Sequence, residues 1–450
     1  MHELTDETER LAREIFELVL ARQRTDPLPL GGIGTRESLQ RGLGGSITPD
    51  GLGRDEALRR FTEKLMPATI AVDHPRYLAF IPHAPTQESV FIDLLVSAAS
   101  IYAGSWMEAS GAVFAENQAL DWLAELAGYP AGAGGTFVPG GTLGNLAALH
   151  AARETARMRR AGDPPARWQV AVSNESHSSI VQALRVLDID PVPVPVDDHF
   201  RLTGEALARV LEERQPAGLC AVVASAGSTN AGAIDDLAGI ATICEERGVW
   251  LHVDGAYGLA ALASPAKRAA FAGIERSDSF IVDPHKWLFG PYDSCALLYR
   301  DPALARRAHT QSADYLDVIN ERNDWNPADY AVQLSRRARG LPLWFSLAVH
   351  GTDAYSAAVD RALALTAETV AEIRRRPELE LLLEPDLSVL LFRRIGWSDA
   401  EYASWSDALI GSGTAFVVPS RVDGRSVARM VLLNPRTTMV DVRLVLDSMR

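Results

Sequence analysis

Lys286 closes the stretch Asp278-Ser279-Phe280-Ile281-Val282-Asp283-Pro284-His285-Lys286, and Trp287 follows it. A short β-type run stops at Asp-Pro, which leaves the next side chains at a sheet edge, where open α/β sheets keep their ligands. An amine held between apolar and aromatic neighbours can lose its proton near neutral pH and form an imine with an aldehyde. The same residues also describe a surface lysine beside a buried tryptophan, so other strand ends must decide. Gly140-Gly141-Thr142 follows the strand candidate Thr136-Phe137-Val138. Two glycines let backbone N–H groups approach an anion, and a helix start favours negative charge. His177 stands just inside a helix start, where it serves either as a cap or as a ring that stacks on another flat ring. Asp254 ends Trp250-Leu251-His252-Val253, and a carboxylate after a buried strand needs a cation or hydrogen-bond donors.

An anion cup, a stacking ring, an acid for a ring nitrogen and an imine-forming amine are together the demands of pyridoxal phosphate. A dinucleotide site would need GxGxxG after the first strand, and none stands there. No metal site is expected.

These residues need a scaffold, and the chain supplies strands alternating with helices. Val170–Val172, Ala221–Ala224, Val249–Val253 and Phe280–Val282 are apolar runs separated by helical patterns, and Ala296–Tyr299 follows by a turn short enough to return antiparallel. Buried apolar strands between helices mean a mostly parallel sheet covered on both faces, an α/β fold. Helices are expected at 5–23, 88–102, 111–127 and 236–247, with Asp50 or Asp55 capping another through Leu65. Residues 311–327 lack a clear period and read as a long loop of the kind that often forms a lid. A helical pattern from Leu334 to Val370, broken near Gly340 and Gly351, precedes strand candidates Val389–Phe392, Ala415–Val418 and Met430–Leu433 and helices at 398–410 and 439–449. The chain then divides into an N-terminal arm or dimerisation segment (1–70), a large domain (71–350) and a small α+β domain (351–450).

With 450 residues, 47% of them apolar, core size is no obstacle. A net charge of −14 argues against nucleic acid or anionic membrane as a partner. No run is long and apolar enough for a membrane span, and the acidic N-terminus is unlike a secretory signal. Cys220, Cys244 and Cys295 lie far apart without CxxC spacing and read as reduced core residues of a cytoplasmic protein.

The chain resembles the group II pyridoxal-phosphate-dependent amino acid decarboxylases, especially those acting on aromatic amino acids. The resemblance runs from about His74 to Gly351, more loosely through both ends. It rests on Asp283-Pro284-His285-Lys286-Trp287, on Asp254-Gly255-Ala256-Tyr257 placed 32 residues before the lysine, on Ala226–Asp235 (AGSTNAGAID) and on Ser173–Ser179 (SNESHSS). It implies fold type I, like aspartate aminotransferase, and a homodimer with the active site at the subunit interface. It implies that Lys286 carries the cofactor, Asp254 pairs with the pyridine nitrogen and His177 stacks on the ring. Gly141 and Thr142 match phosphate-holding positions, Thr229 one near the ring, and Ala256 and His285 further cofactor neighbours. Tyr315, 29 residues after Lys286, matches a loop tyrosine that reaches the partner's site and protonates Cα. The expected substrate wall is Phe80, Ile81, His83 and Trp106; Gly104 stands where relatives tend to carry phenylalanine, which would enlarge the pocket.

The activity expected is decarboxylation of an aromatic or bulky L-amino acid to its amine. The alternatives are interception of the carbanion by oxygen to give an aldehyde, or transamination or β-elimination on the same fold.

Overall fold

The computed structural model describes residues 2–322 and 324–450, with Tyr315 and Asn320 described in their backbone alone. Seven strands form one sheet: β1 (Gly134–Val138), β2 (Trp168–Ser173), β3 (Ile189–Val194), β4 (Leu219–Ser225), β5 (Trp250–Asp254), β6 (Ser279–Val282) and β7 (Cys295–Tyr299). Their order is β1-β7-β6-β5-β4-β2-β3, and only β7 runs antiparallel to its neighbours. The other six strands therefore point the same way, and their C-terminal ends share one edge.

The period of two along each strand sorts the core into two layers. Val222, Ala224, Leu251, Val253, Phe280, Ala296 and Leu298 pack on one face. Ala221, Val223, Trp250, Ile281, Cys295, Leu297 and Tyr299 pack on the other, beneath the alanine-rich helix Gly140–Arg159. Because both faces are covered, these strands read as continuous apolar runs.

A second, four-stranded antiparallel sheet is formed by β8 (Leu379–Leu381), β9 (Val389–Arg394), β10 (Ser420–Val422) and β11 (Arg425–Val431), in the order β10-β11-β9-β8. Its core also takes in Leu78, whose neighbour Tyr77 forms a bridge with Phe416. The large sheet and the small one are those of fold type I.

Several local expectations need correction. The helix expected from 111 starts at Trp106 with Ser105 as its cap, and Gly111 lies inside it; tertiary packing overrides the glycine signal. The helix expected to begin at Asp50 or Asp55 has Gly53 at its cap position and neither acid as its cap. The pattern from Leu334 becomes helical at Leu341. Ala415–Val418 contributes the bridge at Phe416 and no strand. Strand β3 and helix Gly204–Arg214 were absent from the sequence reading; Pro191 and Pro193 mask β3, which is tolerated because it lies at the sheet edge. Residues 311–327 hold two short turns, Asp314–Leu316 and Asp317–Asn320.

Candidate active site

The shared strand edge opens into a cavity of about 220 Å³ lined by Gly140, Gly141, Thr142, His177, Thr229, Asp254, Ala256, His285 and Lys286, among others. Every cofactor-binding position expected from the sequence is on this wall. β1 delivers the glycine turn, β2 leads to His177, β4 to Thr229, β5 ends in Asp254 and β6 leads to Lys286.

The glycine turn is shaped for an anion. Gly140 has φ +75°, and a Cβ on Gly141 would stand 3.1 Å from Ile281 Cδ1 and 3.3 Å from Asp283 Oδ2. The helix Gly140–Arg159 has no side-chain cap, so its first N–H groups remain available to a phosphate.

His177 is itself the N-cap of helix Ser178–Val186, with Nδ1 accepting from the Ser179 N–H at 3.2 Å. Cap and cavity wall are therefore one residue. Asp254, 8% exposed, accepts from Asn145 Nδ2 at 2.9 Å and from the Ala256 N–H at 3.2 Å.

Lys286 corrects the sequence reading of a neutral amine. Its Nζ lies 2.9 Å from Asp283 Oδ2. Burial alone would lower the lysine pKa, but the Asp283 carboxylate outweighs it and the pKa is raised. Burial, the largest single influence, works against the carboxylate, yet Lys286 and His285 together outweigh it and the Asp283 pKa is lowered. Asp283 Oδ1 is buried without a hydrogen-bond partner, an orphan that a ligand entering the cavity could satisfy. Trp287 is fully buried and stacks on Tyr257, with ring centroids 5.3 Å apart, which anchors the lysine's backbone.

The expected substrate wall is not brought to this cavity. Phe80 is 56% exposed, Ile81 packs on the main core, and Gly104 lines a separate, smaller recess. Trp106 opens its helix, its N–H bonded to Asn326 Oδ1 at 3.0 Å. His83 is the nearest of the five: its Nδ1 donates to the His285 carbonyl at 2.5 Å, and its ring stacks on Tyr292 at 4.4 Å. The side chain of Tyr315 lies outside the described residues.

Sequence reasoning missed Asn145, Asp283 and Arg429 as site residues. Asn145 was visible as a polar residue among Leu143, Leu146 and Ala147 on the buried side of a helix. Arg429, 6% exposed, donates to the carbonyls of Thr229 (2.5 Å), Asn230 (3.2 Å) and Phe80 (2.8 Å) and so ties the small sheet to the cavity rim. No local signal marks it, since its partners lie some 200 and 349 residues away.

The residues fit pyridoxal phosphate: an uncapped helix start for phosphate, a ring-bearing wall, an acid and a reachable amine. Comparison with known proteins agrees. The chain is 31% identical over 415 residues to aromatic-L-amino-acid decarboxylase of Bacillus atrophaeus, covering 89% of this chain and 85% of that one. It is 32% identical over 415 residues to L-2,4-diaminobutyrate decarboxylase of Rhizobium meliloti (strain 1021), covering 88% and 82%. The fold matches that of Oryza sativa TDC, solved with PLP and tryptamine, with a TM-score of 0.93 at 22% identity over 100% of this chain and 99% of that one. The model of the pyridoxal-dependent decarboxylase conserved domain matches residues 50–395, so the chain belongs to that family and is a pyridoxal-phosphate-dependent amino acid decarboxylase, a carboxy-lyase.

Proposed function

We propose that the substrate is an L-amino acid with an aromatic or bulky apolar side chain, and that Lys286, Asp254, His177 and Tyr315 carry its decarboxylation. The observation that supports the residue roles is the convergence of Gly141, Thr142, His177, Thr229, Asp254 and Lys286 on one cavity. Bound there, pyridoxal phosphate supplies an electron-accepting ring for the bond that breaks at the amino acid Cα. Gly141 and Thr142 hold the phosphate with backbone N–H groups. Lys286 is the amine that would hold the coenzyme through its aldehyde, and Asp283 is the carboxylate that pairs with its ammonium form until that pairing is displaced. Asp254, its carboxylate anchored from behind by Asn145, keeps the ring nitrogen protonated. His177, on the cavity wall, would face the ring. Tyr315 delivers a proton to Cα.

The aromatic preference is supported by the stack of His83 on Tyr292, which stands 4.7 Å from the His285 ring beside Lys286. Relatives act on different side chains, so a panel decides: carbon dioxide release from phenylalanine, tyrosine, tryptophan, histidine, glutamate and 2,4-diaminobutyrate. The aromatic acids are expected to give the highest kcat/KM; preference for 2,4-diaminobutyrate or glutamate would overturn the assignment. Amine and peroxide measured together separate amine formation from aldehyde formation.

The same reading makes the chain a homodimer with an N-terminal arm (1–70), a coenzyme domain (71–350) and a small domain (351–450). Helix Asp6–Arg24 buries none of its residues and exposes Ile15, Phe16 and Leu18, while Leu94, Leu95 and Phe114 are also exposed. Such a surface suits a second copy. Light scattering on the purified protein tests it. No helix among the described residues is long and apolar enough to cross a membrane, and the three free buried cysteines suit the cytoplasm.

A further inference from the structure

Behind the cavity wall runs a buried polar chain. Trp250 Nε1 donates to Ser279 Oγ at 2.8 Å. Ser279 Oγ is 2.9 Å from His252 Nδ1, and His252 Nε2 is 2.8 Å from Asn145 Oδ1. Asn145 Nδ2 then branches, to Asp254 Oδ2 at 2.9 Å and to Ser179 Oγ at 3.0 Å. Ser179 Oγ is 2.8 Å from His177 Nδ1. Trp250, Ser279, His252, Asn145 and Ser179 are each at most 4% exposed.

The hydrogens of this chain have one consistent arrangement. An indole N–H only donates and a carboxylate only accepts. Asn145 must therefore turn its NH₂ to Asp254, since the flipped amide would set oxygen against oxygen. Its Oδ1 then requires a proton on His252 Nε2. Ser279, occupied by the indole, gives its O–H to the bare Nδ1. Burial pushes His252 down to about 4, which keeps this ring neutral. At the other end, the Ser179 backbone N–H points at His177 Nδ1 at 3.2 Å, so that nitrogen is also bare. The second Asn145 N–H takes a lone pair of Ser179 Oγ and turns the serine O–H to His177 Nδ1. The His177 proton is left on Nε2, which has no protein partner among the described residues.

We propose that Asn145 is the positioning residue for both groups that flank the coenzyme ring. It orients the Asp254 carboxyl with its remaining lone pairs turned to the cavity. Through Ser179 it fixes His177 in the Nε2–H tautomer, the form that can donate a hydrogen bond or a proton into the cavity. His252, Ser279 and Trp250 hold the Asn145 amide in the orientation that does both. This deepens the assignment of Asp254 and His177 above and rests on it.

The test uses holoenzyme reconstituted with pyridoxal phosphate and labelled with ¹⁵N-histidine, with the His177 signals assigned by their loss in His177→Gln. Wild type should show Nε2–H at His177; finding Nδ1–H overturns the proposal without any variant. In Asn145→Leu the His177 tautomers should mix, and coenzyme affinity should fall about 10- to 100-fold, the scale of losing a hydrogen bond to a charged group. Asn145→Asp keeps the acceptor for His252 but faces Asp254 with a second carboxylate. It should bind coenzyme more weakly than Asn145→Leu and add a new step to the pH titration of the bound-coenzyme absorbance. An unchanged His177 tautomer with affinity within about twofold of wild type in both variants would reduce Asn145 to a space-filler. Failure of the wild type to bind coenzyme would instead strike the underlying assignment.

Discussion

Lys286 Nζ and the buried Asp283 Oδ2 form an ion pair at 2.9 Å, three residues apart in sequence, with the lysine half-buried at the cavity wall and the second oxygen of Asp283 without a hydrogen-bond partner. The lysine proposed as the nucleophile is thus held as an ammonium until something displaces the carboxylate. Asp283→Asn keeps the shape and removes the charge. The apparent pKa for capture of pyridoxal phosphate by the apoprotein should fall by roughly one to three units, the usual effect of removing an opposite charge at this range. The pH dependence of the rate at which coenzyme absorbance appears measures it; an unshifted profile would mean the pair does not control the amine.

Lys286→Ala should abolish borohydride-trappable coenzyme, since no other lysine lines the cavity. Mass spectrometry of the reduced protein checks this, and label recovered on another lysine would refute it.

Asp254→Asn should retain the fold and lower kcat by about 100-fold or more, because a group aimed at developing charge is removed from a site that excludes water. A loss confined to KM would show that Asp254 only binds.

Acid should destabilise the protein through its buried histidines, offset in part by Asp235, whose carboxyl burial raises to about 7 so that the folded state gains from its protonation. Burial depresses His83 and His252 to about 4 and His309 to about 3. Each folded-state value lies below the unfolded value of about 6.5. The unfolded chain therefore binds more protons in this window, and stability falls as pH drops from about 6.5 toward 4. Each histidine contributes at most about 1.4 kcal/mol per pH unit. Thermal melts from pH 7 to pH 4 should show the decline, and His309→Gln should flatten it.

Glu116 and Arg336 form a bidentate pair at 2.7 and 2.9 Å with side chains 2% and 0% exposed. Glu116 Oε1 also accepts from the Gly340 N–H, and Arg336 donates to the Ala103 carbonyl, each at 2.7 Å. Glu116→Ala leaves a buried cation and should cost about 3–5 kcal/mol, whereas Glu116→Leu with Arg336→Met should recover most of that. Denaturant melts of the single and double variants distinguish the two outcomes.

Much of the active site was present in local order along the chain. Five strands, β1, β2, β4, β5 and β6, lead to a residue type suited to one part of the coenzyme, and period and punctuation alone place Gly141, His177, Asp254 and Lys286 at strand ends. What local order could not supply is the direction of strands: that β7 alone reverses, so that six C-terminal ends meet at one edge, depends on pairing across the sheet. Strand β3 escaped notice because its prolines mimic a loop, an ambiguity that edge position resolves only in three dimensions.

The sequence by itself determined the cofactor chemistry, because an amine, an acid, a ring and an anion cup are readable as residue types at spaced strand ends. Only the tertiary structure decided which partners hold them. Asp283 meets Lys286 within the turn after β6, but its charge matters because the carboxylate is buried and the amine half-buried beside it. Asn145 reaches Asp254 and His252 across more than 100 residues of chain. Acid–base state depends on distance and on exclusion of water, and neither is a property of residue order.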